Sequence, residues 1–235
     1  MVDEFESIQL ALFTSAPPSL DALKLWDAIF GSSPGGFQTH NPGHTQAQGR
    51  VGDLEVVVMA QVNRFDIVMQ APVGPPPAMP PAPIPDIQKA LDDGISYAEK
   101  ALPYLNVGRV AAVIQGNCFA SSPQDAVAKF ISLYPDCKVP AGATAVTYEF
   151  TAPKKSGLNQ NRNLMRLCRW QTVHSQYFNL APGTTQVAQR FAVHSYVDVF
   201  SEAMEALSAQ DALAGLKEVA DEANKIIAGG PNAVS

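Results

Sequence analysis

Charge is what this sequence has least of. Lys, Arg, Asp and Glu make up 16% of its 235 residues, against roughly a quarter in ordinary soluble domains. The formal net charge is −6. A chain that grips nucleic acid by neutralising phosphates is usually basic, so binding of that unspecific kind is disfavoured. Cysteine is scarce as well. Cys118, Cys137 and Cys168 are odd in number, widely spaced and free of any C-x-x-C pair. That argues against a zinc ribbon or a disulfide framework and for a reducing compartment. No stretch approaches about eighteen uninterrupted apolar residues, so no transmembrane helix and no membrane partner is expected. The opening "MVDEFESIQLALF" places acids where a signal peptide needs basic residues. A soluble, cytoplasmic protein is the expectation.

Motifs that carry chemistry are missing too. There is no Walker loop, no G-x-G-x-x-G, no H-E-x-x-H and no EF-hand loop. "GSSPGG" follows a helical pattern instead of linking a strand to a helix, so it cannot offer a phosphate the amides of a helix start. Neither a cofactor nor a metal is therefore expected. His40 and His44 in "HNPGH" have metal-like spacing, but Pro42 and Gly43 exclude a helix there, and loop polarity explains them.

Hydrophobic periodicity supplies the architecture. "FESIQLALF" alternates as a strand, and "LDALKLWDAIFG" follows as a helix with Leu20, Leu23, Trp26, Ile29 and Phe30 on one face and Ser19 as its cap. "SSPGGFQTHNPGHTQAQGR" reads as a polar loop. "LEVVVMAQV" and "FDIVMQA" form a hairpin, and "DIQKALDDGISYAEKALPYL" is an amphipathic helix capped by Asp86. In the second half, "VGRVAAVIQGNCFA" reads as a strand, "QDAVAKFISLYP" as a helix, and "ATAVTYEFTA", "RLCRWQTVHSQYFNL" and "VAQRFAVHSYVDVF" as strands. One or two helices, broken near Ser208–Asp211, close the chain.

The order of elements repeats, since "LALFTSAPPSLDALKLWDAIF" answers "AVIQGNCFASSPQDAVAKFISLY". The expected fold is α+β: two pseudo-repeated β-α-β-β-α units with antiparallel sheet, joined by a Pro-rich segment, plus a C-terminal helix. The divisions fall at 1–72, 73–85 and 86–235, and the parts can pack as a single domain. The "LKLWDAIF" helix, the "VVMAQVNRFDIVMQ" hairpin, "LNVGRVAAVIQGN" and "FAVHSYVDVF" followed by "LAGLKEVADEANKII" together resemble a sporadically distributed bacterial family of uncharacterised α+β proteins. The resemblance implies that fold and an accessory role, and it brings no activity with it.

Eight prolines crowd the fifteen residues "APVGPPPAMPPAPIP". A polyproline II segment rises roughly 3.1 Å per residue, so the run spans about 45 Å. Its PxxP matches lack a flanking Arg or Lys, which favours a stiff connector over a ligand for a proline-reading partner. Val73, Met79 and Ile84 are its candidate anchors.

Four residues are candidates for catalysis. Cys118 ends a strand before a helix start, where amides and the helix dipole can lower a thiol pKa, with His174 or His194 as base. His194 and Asp198 share a strand face but lie about 13 Å apart, so a dyad needs a cross-strand partner. Burial of Cys118 and a half-solvated setting for the histidines explain the same residues without catalysis. The clearest charge anomaly is "KKSGLNQNRNLMRLCRW". Lys154, Lys155, Arg162, Arg166 and Arg169 lie there without an acid, beside Trp170, as an anionic ligand or single-stranded nucleic acid would require. A solvated loop whose cations offset the acids of the last helix is the competing explanation. The functional expectation is a non-enzymatic binding or regulatory protein with a protein partner or self-association. The alternatives are a hydrolase- or transferase-type enzyme with a Cys/His or His/Asp site, and an oligomeric assembly subunit.

Overall fold

Alternation gives Glu4–Thr14 (β1) two different faces. Ile8, Leu10 and Leu12 are fully buried, whereas Ser7, Gln9 and Phe13 keep some exposure. A computed structural model describes residues 2–72, 82–135, 137–181, 184–204 and 206–234. Among these, β1 is followed by helix Ala22–Phe30 (α1) and strands Gly36–Asn41 (β2), His44–Val51 (β3), Leu54–Gln61 (β4) and Arg64–Gln70 (β5). Then come helix Ile87–Ala101 (α2), strand Val107–Ala120 (β6), helix Pro123–Leu133 (α3), strands Thr147–Lys155 (β7), Asn163–Ala181 (β8) and Thr184–Ser201 (β9), and helix Ala209–Gly229 (α4). The strands form one nine-stranded sheet in the order β2-β3-β4-β5-β1-β6-β9-β8-β7. Every neighbouring pair is antiparallel. The protein is thus a mixed α+β structure built on a single antiparallel sheet, to which segments 1–72 and 86–235 both contribute.

All four helices lie on the same face of that sheet. Trp26 of α1 packs over Gly49, where an added Cβ would come within 3.1 Å of the indole. Gly94 lets α2 settle against Leu10 and Met69, and Gly215 lets α4 approach Val110. From α3, Phe130 stacks on Tyr134, which in turn touches Trp170 at ring separations of 4.9 and 5.2 Å. The helices start where side chains can satisfy their first amides: Asp21, Asp86, Ser122 and Ser208 each accept from a backbone N–H three residues on. Asp21 therefore replaces the expected Ser19 as the cap of α1; the Ser19 hydroxyl instead donates to the Tyr104 carbonyl.

Two segments depart from the sequence reading. The described residues of "SEAMEAL" are not helical, and Ser208 caps a single last helix. The polar stretch after α1 is a hairpin, β2 and β3, turning through Pro42 and Gly43, whose φ of +80° suits glycine. β2 is the edge strand, with five of its six residues exposed, and in β3 only the small Ala47 and Gly49 are buried between half-exposed Gln and His residues, so no strong apolar alternation marks either strand. The proline run cannot be followed as a whole. Residues 73–81, with Val73 and Met79, lie outside the described residues. Ile84 is buried and donates its N–H to the Phe5 carbonyl, so the chain after the prolines is fastened to β1.

Beneath α4 lies a buried charge cluster. Arg166 and Glu222 are 8% and 5% exposed, 3.4 Å apart, and Lys154 closes on the other oxygen of Glu222. Arg166 also donates to the Pro153 carbonyl at 3.2 Å. Removing one partner of such a pair strands the other charge in the core. Glu222→Ala should therefore cost about 3–5 kcal/mol in urea unfolding, and adding Arg166→Met should restore most of the loss. A double variant no more stable than the single one would show that the loss comes from packing and not from the stranded charge.

Candidate functional site

The face of the sheet opposite the helices gathers the polar side chains. A β-bulge sets up one end of it. Across β1 and β6, Phe5 pairs with Gly116 and Ser7 with Gln115, which leaves Glu6 with no opposite residue. Bulges of this kind re-aim a side chain. The backbone of β1 comes so close at this point that a Cβ on Gly116 would sit 2.8 Å from the Glu4 carbonyl oxygen. Glu6 turns to Asn117, whose Nδ2 donates to Oε1 at 2.5 Å. His194 Nδ1 lies 3.1 Å from Asn117 Oδ1. Because the amide nitrogen of Asn117 serves Glu6, its oxygen must accept from His194. That places the imidazole proton on Nδ1 and leaves Nε2 as an acceptor. Burial pushes the His194 pKa down, with the Glu6 carboxylate opposing and Arg169 adding to the fall. The three residues border a cleft of about 250 Å³, with Gln171, Val173, Ser175, Phe119, Arg190 and Ala192 as its other walls.

A second cluster occupies the centre of the face. Asp66 is fully buried and accepts from Arg64 Nε at 2.7 Å, Gln9 Nε2 at 2.9 Å and Gln61 Nε2 at 3.3 Å. Desolvation still raises its pKa, against the pull of Arg64. Phe13 carries the guanidinium of Arg64 at 4.9 Å and that of Arg109 at 4.8 Å. The other neighbour of Arg109 is the Phe200 ring, at 4.3 Å. A guanidinium held between rings is oriented by cation–π attraction and loses little further freedom when it binds. Asp198 sits between Val113 and Leu167 across the ladders, and burial raises its pKa. Its Oδ1 and Arg109 Nε find no hydrogen-bond partner among the described residues.

The structure separates most residues singled out from sequence. Cys118 and His194 point to opposite faces of the sheet, as their register positions require. The Cys118–His194 pairing is therefore excluded. Cys118 and His174 share the helix side but stand two strands apart, roughly 10 Å, and His174 stacks on Phe191 instead. The Cys118 thiol is pushed up, by burial first and by Asp3 second, which is the reverse of an activated nucleophile. His194 and Asp198 do share a face, without touching: His194 bonds Asn117. Of the five loop cations, Lys154 and Arg166 are held by Glu222 and Arg169 by Glu149. Lys155 and Arg162 form no ion pair among the described residues. His40 and His44 face each other across their turn at 4.9 Å, and no group of metal-binding side chains occurs among the described residues. Gly31-Ser32-Ser33-Pro34-Gly35 spells G-x-S-x-G, but it runs from a helix into a strand, the reverse of a nucleophile elbow.

Sequence reasoning missed Glu6 and Asn117 and also Arg64, Asp66, Arg109 and Arg190. Asn117 stood beside the suspected cysteine, and Glu6 looked like ordinary strand polarity.

Two titrations test this electrostatic account. By NMR, His194 should titrate below its ordinary 6.5, and lower still in Glu6→Gln, which loses the carboxylate that favours imidazolium; a midpoint above 6.5 would contradict it. Asp198 has a raised folded pKa, so its burial costs the native state nothing below the unfolded value near 3.8, progressively more as pH rises from there, and a constant amount once the folded group has ionised. Asp198→Asn should thus gain stability over the parent as pH rises above about 4 in urea midpoints, with the gap levelling once the folded carboxyl has ionised, whereas a gap that is constant from acid to neutral pH would refute the burial argument. No family model, curated protein or solved structure matches the chain.

Proposed function

We propose that the protein is a non-enzymatic binding protein that holds an acidic, extended segment of a partner across the helix-free face of its sheet, with Arg109 as the anchor. The observation that carries this is the guanidinium of Arg109, fixed between Phe13 and Phe200 and engaged in no ion pair among the described residues. A planar fork oriented in that way suits bidentate capture of a carboxylate. Around it, Gln9, Gln46, Gln48, Gln61, Gln115 and Gln171 project on the same face, as their register partners require. Gln9 and Gln61 already donate to Asp66 and Gln46 to Gln48, so the Gln115 and Gln171 amides are the ones that offer donors and acceptors to a peptide backbone. The whole chain is acidic, so attraction of the partner is local to this centre and not a property of the net charge.

The face extends across both halves of the chain, and we interpret those halves as a duplication. β1 and β6 each pair with the last strand of their own meander, β5 and β9, and also with one another. On that reading the second unit has one strand fewer, and the proline-rich segment with its fastened Ile84 is the connector between the units.

Labelled acidic, neutral and basic peptides of equal length, measured by fluorescence polarisation, test the proposal. Acidic peptides should bind best. Arg109→Ala should weaken them by about ten- to a hundredfold, in line with loss of a charge-assisted hydrogen-bond pair, and Arg109→Lys should recover part of that. Equal binding of all three peptides, preference for single-stranded DNA, or an unaffected Arg109→Ala protein would each reject it.

A further inference from the structure

The cleft beside His194 has an order that the ladders make explicit. On β9, Arg190, Ala192 and His194 project side by side. Their partners on β8 are Ser175, Val173 and Gln171, and Asn117 and Phe119 on β6 lie opposite His194 and Ala192. One end is thus polar, formed by Gln171, His194, Asn117 and the bulged Glu6. The middle is apolar, formed by Val173, Ala192 and Phe119, and the far end is polar again, formed by Ser175 and Arg190. Successive same-face residues on a strand are about 6.8 Å apart, so the two polar ends are roughly 13 Å apart at the backbone and closer at the side-chain tips.

The ends differ in sign. At the first, Glu6 is a carboxylate with one oxygen taken by Asn117, and His194 presents Nε2 as a lone pair on a neutral ring. This end accepts hydrogen bonds. At the second, the Arg190 guanidinium lies over the Phe119 ring at 4.3 Å and is met by Glu4 only at 3.7 Å, a loose pair near the surface that a better-placed anion can displace. This end donates. The small side chain of Ala192 between them keeps the floor low.

We infer that this cleft binds a small zwitterion, a dipeptide or an ω-amino acid, with its ammonium on the Glu6 carboxylate, which lies 3.7 Å from the Nδ1 edge of His194, and its carboxylate on Arg190 and Ser175. The apolar middle receives the carbon chain between the two charged ends. A volume of about 250 Å³ matches a molecule of that size and is too small for a folded partner. The site does not include the Arg109 anchor, shares only Gln171 with the face around it, and stands or falls by different measurements.

The test uses the full chain and NMR or calorimetric titration with L-alanyl-L-alanine and 6-aminohexanoic acid. N-acetyl-alanyl-alanine lacks the amine and alanyl-alanine amide lacks the carboxylate. Both should bind at least about tenfold more weakly than the free dipeptide, since each loses one of the two charge-assisted contacts. Glu6→Gln, which keeps the oxygen that Asn117 needs, should abolish the preference for the free amine and leave the preference for the carboxylate. Arg190→Gln should do the opposite. Failure of both zwitterions to bind at millimolar concentration overturns the inference, as does equal binding of the blocked dipeptides. Preferences that survive both substitutions overturn it as well. The blocked ligands keep the test decisive if either variant is unstable.

Discussion

Everything in this molecule hangs on the antiparallel ladder between β1 and β6. These strands come from opposite sides of the proline run, and each would otherwise be an open edge. Joined, they put Ile8 against Ile114 and Leu10 against Ala112 at the middle of the sheet, with helices above and a polar face below. A strand buried on its helix side reads as alternating residues, and β1 does so clearly. The same ladder brings Glu6 and Asn117 together from positions 111 residues apart, and through β9 it adds His194. Core and site therefore share one set of hydrogen bonds.

Much of the frame was legible because burial writes a period into the sequence. The helices at Ala22–Phe30, Ile87–Ala101 and Pro123–Leu133 all show apolar residues three and four apart, and each begins next to a Ser or Asp that caps it. β2 and β3 were illegible for the complementary reason. "GFQTHN" lies at the sheet's end with five of its six residues exposed, so nothing selects for alternation, and Pro42-Gly43 looked like loop chemistry when it was turn chemistry.

The site was less legible than the frame. His194 and Asp198 could be placed on a common face from parity alone, and the structure puts them there. Their partners could not be found, because cross-strand neighbours depend on register, and register across β1 and β6 is shifted by a bulge that no residue type announces. The basic run 154–169 drew attention as a charge cluster. Of its answering acids, Glu222 lies in the last helix, where the competing explanation looked for them, 68 residues from Lys154 and 56 from Arg166, and Glu149 lies 20 residues from Arg169 on the neighbouring strand. Cys118 shows the limit of arguing from a helix start. The helix begins only at Pro123, and at the thiol burial and Asp3 outweigh the pull of Lys129.

The bulge at Glu6 has one more consequence, for how the site relates to its scaffold. Phe5 and Ser7 pair with consecutive residues, Gly116 and Gln115. Excising Glu6 would close the ladder into a regular one, with every inward side chain still inward and every outward one still outward. The carboxylate that organises Asn117 and His194 is thus a single inserted residue on a strand that is complete without it. A chain of this fold can gain or lose that group by one codon, without renegotiating its core.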